Sequence, residues 1–321
     1  FGSDQVFRGR LTYTCICEIT KKKGSINYIN TLSDNLANIK EEDYVSINYE
    51  NLDNYNGWIL DEYKVQLNIN KLENAGKKLV DLFEIRNGFA TLRNNIYLFT
   101  PKNEDEHFYY IEKDNQKYKI EKGICKDAIK PNILKTEEDI VSYKEKLIFP
   151  YIVSVHGKIN ILPEDTFKTN FPNTYKYLLS YKNELRKRDR GNRKYEKWYV
   201  YGRSQALNIK GKKLFFPYIS DKPYFVYSND EDILFYNGYA IISNSTDDLR
   251  FIQKIMTSQV FWYYIKNNSK PYANNYFALA KNYVKNFSIP KFSNEEKKRL
   301  MNLKKEESIT KFLEKKYNIS I

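Results

Sequence analysis

The apolar residues of this chain occur mainly in short runs, and this pattern restricts the fold more than any other feature. Examples are HFYYIEK, KYKIEK, KLFFPYI and YAIIS, which are separated by glycine, proline, asparagine and charged residues. Short runs with a period near two are typical of strands, and the residues between them favour turns. The sequence therefore predicts an α+β fold, in which helices pack on short, twisted, mixed or antiparallel sheets.

Residues 162–191 have the spacing of a helix. We expect Pro172 to lie in the first turn of the main part of this helix and Gly191 to end it, because proline suits the first turn and glycine the end. The apolar stripe that should be buried consists of Tyr175, Leu178, Leu179 and Leu185.

A second helix is predicted over residues 245–268, beginning at Ser245 or Thr246, and a charged final helix over residues 293–316. The second helix carries acidic residues in its first turn, where these complement the helix dipole, and the final helix has only a thin apolar stripe. One face of the second helix should be buried, and it consists of Leu249, Ile252, Ile255, Met256 and Val260.

The amino-terminal region predicts a β-hairpin. The sequence LTYTCICEITKKKGSINYIN alternates on both sides of KKKGS, which predicts strands at 11–20 and 26–31. Cys15 and Cys17 would then share one face, and we expect them to be buried thiols of a reducing compartment. The following residues, 32–80, are polar with scattered aromatics and predict a loosely structured connector.

The chain begins at Phe1 without a methionine or an apolar signal segment. It is therefore expected to be part of a longer protein. No run of 18 apolar residues occurs, so we expect no membrane span and a cytoplasmic location.

The sequence lacks the common signatures of catalysis and metal binding. It contains no glycine-rich phosphate loop, no Gly-x-Ser-x-Gly and no His-Glu-x-x-His. The two histidines, His107 and His156, have no further ligands at metal spacing. We therefore expect no catalytic residue and no metal site in this chain, which favours binding over catalysis.

The net charge of +13 favours a polyanionic partner, with nucleic acid first and an anionic membrane surface second. Residues 182–197, KNELRKRDRGNRKYEK, hold eight basic residues and three acids. A cationic helix terminus in water is the alternative interpretation of such a run. The predicted phosphate contacts are Arg186, Arg190, Arg193 and Lys194.

The stretch KWYVYGRSQAL follows this basic segment directly. Arg203, Ser204 and Gln205 can read base edges, since arginine pairs with guanine and glutamine with adenine. Tyr199 and Tyr201 are expected in the core on alternation. Phosphate contacts beside groups that read bases are what site-specific DNA binding requires.

A second basic cluster lies in residues 267–286, where Lys270 and Lys281 occur among asparagine and tyrosine residues. These lysines are further candidates for contacts with DNA. The alternative is that the apolar members of the segment are core residues, namely Phe277, Leu279 and Tyr283.

Four blocks together resemble the carboxy-terminal target-recognition region of TaqI-like DNA methyltransferases of type II and type IIG. The blocks are LVDLFEIRNGFATLRNNIYLF, the stretch from YKYLLSYKNELRKRDRG to WYVYGRSQAL, KLFFPYIS, and IMTSQVFWYYIKNNSKPYANNYFALAKNYVKNFSIP. The resemblance implies a parent enzyme that methylates adenine N6 in double-stranded DNA with S-adenosylmethionine. Such enzymes serve restriction-modification or orphan modification systems, and many are joined to a nuclease.

The opening segment resembles the last hairpin of the family's Rossmann-like catalytic domain. The Asn/Asp-Pro-Pro-Tyr/Phe motif and the glycine-rich cofactor strand of the family occur nowhere in this sequence. The resemblance therefore implies a chain that neither binds the cofactor nor transfers a methyl group, and that works with a missing amino-terminal methyltransferase domain.

The resemblance also implies roles for individual residues. Gly88 matches a tight glycine turn, Thr91 and Arg93 follow it where DNA contacts are common, and Trp198 packs beneath Arg203 and its neighbours. It divides the chain into a methyltransferase hairpin (1–31), a connector (32–80), a target-recognition domain (81–292) and a helical tail (293–321).

Two other functions remain possible from the residues alone. The basic face could dock an acidic protein subunit, with the final helix as the contact, so that the chain acts as a protein–protein scaffold. Alternatively, the charge and aromatics could bind nucleic acid without regard to its sequence.

Overall fold

The computed structural model describes residues 1, 4, 6, 7, 14–21, 24–52, 58 and 60–321. The chain forms two compact units. Unit 1 comprises Phe1–Phe83, Tyr218–Pro223 and Arg250–Ile321, and unit 2 comprises Glu84–Pro217 and Tyr224–Leu249. Each unit is therefore assembled from segments that are far apart in the sequence.

The strands and helices of the described residues are short. In chain order the strands are β1 (Ser25–Tyr28), β2 (Val45–Asn48), β3 (Lys77–Lys78), β4 (Glu84–Asn87), β5 (Leu98–Phe99), β6 (Asn103–Glu104), β7 (Phe108–Lys113), β8 (Gln116–Glu121), β9 (Cys125–Ile129), β10 (Glu145–Ile148), β11 (Tyr151–Val153), β12 (Ile159–Ile161), β13 (Lys212–Phe216), β14 (Ile219–Ser220), β15 (Val226–Ser228), β16 (Leu234–Phe235), β17 (Tyr239–Ser243), β18 (Pro271–Tyr272), β19 (Tyr276–Ala278) and β20 (Ser288–Ile289). The α-helices are α1 (Tyr63–Asn74), α2 (Leu79–Leu82), α3 (Asn94–Tyr97), α4 (Glu138–Ser142), α5 (Glu164–Asn170), α6 (Pro172–Ser180), α7 (Lys182–Arg186), α8 (Thr246–Met256), α9 (Gln259–Asn268), α10 (Lys281–Val284), α11 (Asn294–Asn302) and α12 (Glu306–Tyr317).

Unit 2 contains two four-stranded sheets. The first has the order β15-β13-β17-β4 and is antiparallel throughout. The second has the order β16-β9-β10-β5, in which only β16 and β9 run parallel. A three-stranded sheet, β6-β7-β8, and the hairpin β11-β12 complete the strands of this unit. The predicted α+β class with short mixed and antiparallel sheets is confirmed.

Tyrosines form much of the core of unit 2. The hydroxyl of Tyr97 donates to the carbonyl of Tyr199 at 2.9 Å, that of Tyr177 to Ile96 at 2.9 Å, and that of Tyr199 to Leu162 at 2.7 Å. A buried hydroxyl without a partner is costly, so each ring is oriented by its hydrogen bond as well as by packing. The tyrosines therefore tie loop backbones to the core, and the predicted burial of Tyr199 is confirmed.

Unit 1 is mainly helical. Helix α9 packs against α1, where the hydroxyl of Tyr264 donates to Glu73 at 2.7 Å. Phe287 packs between the rings of Phe261 and Tyr317, at centroid distances of 5.1 and 5.6 Å. These aromatic contacts join α9, α12 and the segment before β20 into one core.

The helices predicted over 245–268 and 293–316 are each broken in two. The first begins at Thr246 as predicted, but it ends at Met256, and Ser258 caps α9 by accepting from the Phe261 amide at 3.3 Å. The second is divided into α11 and α12. In the first helix a serine cap starts a new helix while the apolar periodicity continues through the break, whereas α12 follows Lys305, which makes no side-chain cap. The predicted stripe from Leu249 to Val260 is buried throughout.

The stretch 162–191 forms α5, α6 and α7, with Pro172 at the first turn of α6 as predicted. Leu178 and Leu185 of the predicted stripe are fully buried, but Leu179 is 43% exposed. Adjacent residues on a helix point about 100° apart, and on α6 Leu178 faces the core of unit 2 while Leu179 points away from it.

The predicted hairpin is not the one that forms. Residues 14–20 have no strand structure, and Ile16 and Ile19 are exposed; residues 11–13 lie outside the described part of the chain. Strand β1 pairs instead with β2, in the antiparallel register Ser25↔Asn48. Alternation specifies the faces of a strand but not its partner, which explains the difference.

The prediction of buried thiols at Cys15 and Cys17 is wrong, because both are exposed. Their sulfur atoms lie 3.6 Å apart. The expected connector over 32–80 is also more ordered than predicted, since it contains β2 and the twelve-residue helix α1. The functional division into four segments remains a prediction, and the two compact units have different boundaries.

Candidate nucleic-acid interface

The predicted site residues fall in both units. Lys270 and Lys281 belong to unit 1, and the other ten belong to unit 2. Within unit 2, nine of these ten lie on three chain segments that contact one another, and Gly88 directly precedes the first segment. We call residues 89–93 and 198–205 the paired loops, and residues 186–194 the basic turn.

The paired loops are joined through their backbones. Ala90 and Arg203 form an antiparallel bridge, in which the Arg203 amide donates to Ala90 at 2.8 Å and the Ala90 amide donates to Arg203 at 3.1 Å. The Gly202 amide donates to the carbonyl of Thr91 at 3.3 Å. Two loops far apart in sequence therefore present Arg203 and Arg93 from one connected structure.

The basic turn follows α7 and adopts an unusual backbone. Asp189, Arg190 and Gly191 have consecutive positive φ angles of 49°, 57° and 77°. The left-handed conformation is strained for residues other than glycine and needs support from its surroundings. One support is the hydroxyl of Tyr195, which donates to the Asp189 carboxylate at 2.6 Å.

The basic turn surrounds an open concavity of about 600 Å³. Its lining residues are Asn183, Arg186, Lys187, Arg190 and Gly191. The lining includes three cationic residues and one asparagine, which makes the concavity a candidate position for an anion such as a phosphate group.

All four predicted phosphate contacts are exposed. Arg186, Arg190 and Lys194 lie at the surface of the basic turn. Arg193 is exposed as well, but one of its terminal nitrogens donates to the carbonyl of Gly202 at 2.8 Å, and its guanidinium lies 5.5 Å from the ring centre of Tyr195. Arg193 thus links the basic turn to the paired loops.

Of the predicted base-reading residues, Arg203 and Ser204 are exposed and Gln205 is half-buried. The side-chain amide of Gln205 donates to the carbonyl of Gly88 at 3.1 Å. Gln205 therefore braces the paired loops in this conformation, and its amide would have to leave Gly88 to reach a base.

Thr91 is fully buried, and its position does not support direct contact with DNA. Its hydroxyl donates to Asn94 at 2.6 Å and accepts from the Arg93 amide at 3.0 Å, which organises the start of α3. Arg93 is partly exposed and lies 3.8 Å from the carboxylate of Glu184. A phosphate at Arg93 would therefore compete with this carboxylate.

Gly88 is required for a close approach and not for a left-handed turn. A Cβ atom at this position would lie 2.3 Å from the carbonyl oxygen of Phe235 and 2.7 Å from the Cα atom of Tyr236. The Gly88 amide donates to the carbonyl of Gly238 at 3.1 Å. The predicted need for glycine therefore holds, but the reason is the neighbouring backbone.

Trp198 is half-buried at the base of the paired loops, where its indole donates to Glu164 at 3.1 Å. Its ring centre lies 5.8 Å from that of Tyr175. Hydrogen bonds, first from Tyr175 and then from Trp198, hold the pKa of the Glu164 carboxyl below its usual value. Tyr201 is buried as predicted, with its hydroxyl donating to the carbonyl of Ile148.

Sequence reasoning missed Arg188, which lies within the basic turn but is only 1% exposed. It follows the fully buried Leu185 by three residues, and this helical spacing was the available signal that it faces inward. Its contacts are backbone carbonyl groups and the ring of Tyr195.

In unit 1, Lys270 lies 5.2 Å from the ring centre of Tyr272, and Lys281 is half-buried at the start of α10. Leu279 is fully buried, while Phe277 and Tyr283 are partly buried. The core interpretation of this segment is thus confirmed for Leu279, and the DNA role of the two lysines remains a prediction.

Across the residues that the structure describes, no group of three or more His, Cys, Asp and Glu side chains could hold a metal ion. None of the helices in this part of the chain is long and apolar enough to cross a membrane.

No protein-family model matches the chain. Proteins similar to it are type II restriction and methyltransferase proteins. This agrees with the resemblance at the level of restriction-modification proteins. A specific relation to the TaqI-like recognition region remains a prediction.

One similar protein is the type II restriction enzyme and methyltransferase RM.Eco57I of Escherichia coli, 28% identical over 286 residues, which are 81% of this chain and 28% of that protein. Another is the type II methyltransferase M.MjaIV of Methanocaldococcus jannaschii, 27% identical over 209 residues, which are 63% of this chain and 66% of that protein. The chain thus spans less than two thirds of either relative. A structural similarity to the type IIG restriction endonuclease BpuSI has a TM-score of 0.41 and 12% identity, covering 79% of this chain and 29% of that one.

Proposed function

We propose that this chain recognises a specific double-stranded DNA sequence for a site-specific adenine-N6 methyltransferase of a restriction-modification or orphan modification system. The observation that carries the proposal is the direct link between the basic turn and the paired loops. Arg193 spans them at 2.8 Å, so exposed cations lie beside Arg203 and Ser204 in one connected structure. The names of the two relatives support the same kind of system.

The two parts have different tasks. The basic turn binds phosphates through Arg186, Arg190 and Lys194, which contributes affinity for any sequence. Arg203 and Ser204 meet base edges and contribute discrimination, since a good bidentate contact is worth about 1–3 kcal/mol against the wrong base. The backbone bridge at Ala90 holds Arg203 in place, and a rigid mounting is what makes such a contact selective.

In this proposal, methyl transfer belongs to the parent enzyme and to a methyltransferase domain that this chain lacks. The name of the E. coli relative joins a restriction enzyme and a methyltransferase in one protein. S-adenosylmethionine is the proposed cofactor of the parent, and no residue here is assigned to it. The distribution of exposed apolar side chains supports a covering domain. Of the 23 large apolar side chains exposed among the described residues, 12 lie in residues 1–82, including Ile16, Ile19 and Trp58.

The test is selection from randomised duplex DNA by the purified chain at two salt concentrations, followed by sequencing of the bound fraction. We expect salt-sensitive binding and enrichment of one short motif that contains adenine. Salt-sensitive binding without enrichment would favour the sequence-blind interpretation. No binding at low salt would contradict the proposal and favour the scaffold function.

Two variants separate the tasks of the basic turn and the paired loops. Arg203→Ala should relax the enriched motif, whereas Arg190→Ala should weaken all sequences alike and reduce the salt slope by about one. Lys102→Ala is the control, because Lys102 is an exposed cation of unit 2 that pairs with Glu112 at 2.6 Å. Identical behaviour of the Arg203 and Arg190 variants across a panel of sites would refute this division.

In the alternative scaffold function, the final helix is expected to contact the acidic partner subunit. In the structure, Leu313 and Tyr317 of α12 are buried, and the hydroxyl of Tyr317 donates to the carbonyl of Ser288 at 2.8 Å. The apolar stripe of α12 is therefore used within unit 1, which leaves only its charged face for a partner.

A further inference from the structure

Arg188 is the most buried cation of the basic turn, and its guanidinium donates four hydrogen bonds to backbone carbonyl groups. The Nε atom donates to Leu185 at 2.7 Å, and one terminal nitrogen donates to Trp198 at 2.9 Å. The other terminal nitrogen donates to Thr91 at 3.2 Å and to Val200. One planar group thus joins the end of α7 to both paired loops.

The surroundings of Arg188 hold this group in a single orientation. The ring of Tyr195 lies over the guanidinium at 4.3 Å, and its hydroxyl is bonded to Asp189, the next residue in the chain. The carbonyl of Thr91 accepts from Arg188 and from the Gly202 amide, so the guanidinium lies directly beside the backbone pairing that ends at Arg203.

Only arginine can make this set of contacts. Its five donors lie in a fixed plane and can reach several carbonyl groups at once, whereas lysine places three donors around one point. A lysine at this position would keep the positive charge but leave some of the carbonyl groups without a donor. The loss would fall on the Thr91 and Val200 carbonyls, and hence on the paired loops.

We propose that Arg188 is a positioning residue for sequence discrimination: it holds Arg203 in register with the phosphate-binding basic turn, and it does not itself contact DNA. The inference rests on the proposed function. Its content is that discrimination depends on a buried arginine, while phosphate affinity depends on the exposed ones. The ligand is duplex DNA, gripped by its phosphates at the basic turn and read at the paired loops.

The experiment compares Arg188→Lys with the natural chain, using a preferred duplex and a scrambled duplex of equal length. We expect the affinity ratio between the two duplexes to fall about tenfold, in proportion to one lost base contact. Affinity for the scrambled duplex and its salt slope should stay within about twofold, because the charge is retained. An unchanged ratio would overturn the inference and leave the proposed function intact.

Amide hydrogen exchange tests the positioning without DNA. In Arg188→Lys the amides of Ala90, Gly202 and Arg203 should exchange about tenfold faster, whereas those of Ile111 and Ile120 in the β7–β8 sheet should not change. Exchange rates that match those of the natural chain at all five positions would contradict the inference even if no duplex binds. Failure of the natural chain to discriminate would instead count against the proposed function.

Chemical rescue separates positioning from a general loss of structure. Guanidinium chloride at about 10 mM, far below denaturing concentrations, should restore discrimination to Arg188→Ala, with sodium chloride as the salt control. Arg203→Ala should not be rescued in discrimination, because its guanidinium must be presented from the surface. Uniform loss of binding and of exchange protection in Arg188→Ala, without rescue, would show a purely structural role and refute the inference.

Discussion

Glu121 caps helix α6 from a neighbouring strand, and its replacement should destabilise unit 2. One carboxylate oxygen accepts from the amide and the side chain of Asn173, at 2.9 and 2.7 Å. The other accepts from the amide of Thr174 at 2.8 Å and from its hydroxyl. Phe171, at the position before the helix, has no side chain that can cap, so the first turn depends on Glu121.

The magnitude follows from these four bonds. In Glu121→Gln one oxygen becomes an NH₂ group, which cannot accept a hydrogen bond, so the backbone amide of either Asn173 or Thr174 is left without an acceptor. The loss of charge-assisted bonds, of a cap and of the favourable interaction with the helix dipole should cost about 2–4 kcal/mol of the free energy of unfolding.

The effect should depend on pH. Burial acts to raise the pKa of Glu121, but the hydrogen bonds from Thr174 and Asn173 outweigh it, so the pKa lies below its usual value. In the unfolded chain a glutamate carboxyl titrates near pH 4.3, so the stabilisation by Glu121 is complete above about pH 5. It is lost as the pH falls through the lower pKa of the folded state. The natural chain and the variant should therefore converge in acid.

The assay is urea unfolding followed by the fluorescence of Trp198, in a background where Trp58 and Trp262 are replaced by phenylalanine. Glu112→Gln is the matched control, since Glu112 lies on the adjacent strand β7 and pairs at the surface with Lys102. We expect no shift of the midpoint in this control. Equal stability of Glu121→Gln and the natural chain at pH 7, or a difference that persists unchanged at pH 3, would refute the reasoning.

Two further predictions concern stability. Gly88→Ala should destabilise unit 2 by about 3 kcal/mol in urea unfolding, because the new Cβ meets the backbone of Phe235. Gly24→Ala is the control, since none of the described atoms lies within 4 Å of its added Cβ. Equal losses of stability in the two variants would contradict the argument. Burial lowers the pKa of Lys213 to about 8, although nearby carboxylates including Asp230 act to raise it. The folded state then binds fewer protons than the unfolded state between pH 8 and about 10. In urea unfolding, the free energy of unfolding of the natural chain should therefore rise by about 2 kcal/mol relative to that of Lys213→Met across this range. A difference that does not change with pH would exclude this coupling.

The candidate site was only partly predictable from the sequence. Charge patterning predicted the cations at Arg186, Arg190 and Arg203, and all three lie at the surface. The internal roles of Arg188 and Gln205 could not be predicted, because the local sequence does not distinguish a donor that faces water from one that binds a buried carbonyl group. Which of these occurs depends on the carbonyl groups that a distant loop supplies.

Local patterns determined much of the fold. Apolar alternation predicted the short strands and the burial of Tyr199 and Tyr201, and the position of Pro172 predicted the start of α6. The helical stripe from Leu249 to Val260 predicted a buried face. These features depend on side-chain direction and backbone preference, which a few neighbouring residues specify.

Tertiary structure decided the pairings. Strand β1 pairs with β2 and not with the preceding alternating segment, and the cap of α6 comes from Glu121, about 50 residues earlier in the chain. Arg188 of the basic turn faces inward because carbonyl groups of both paired loops converge on it. The physical reason is that a local pattern specifies which groups need partners, whereas the partner is chosen by the packing of the whole unit.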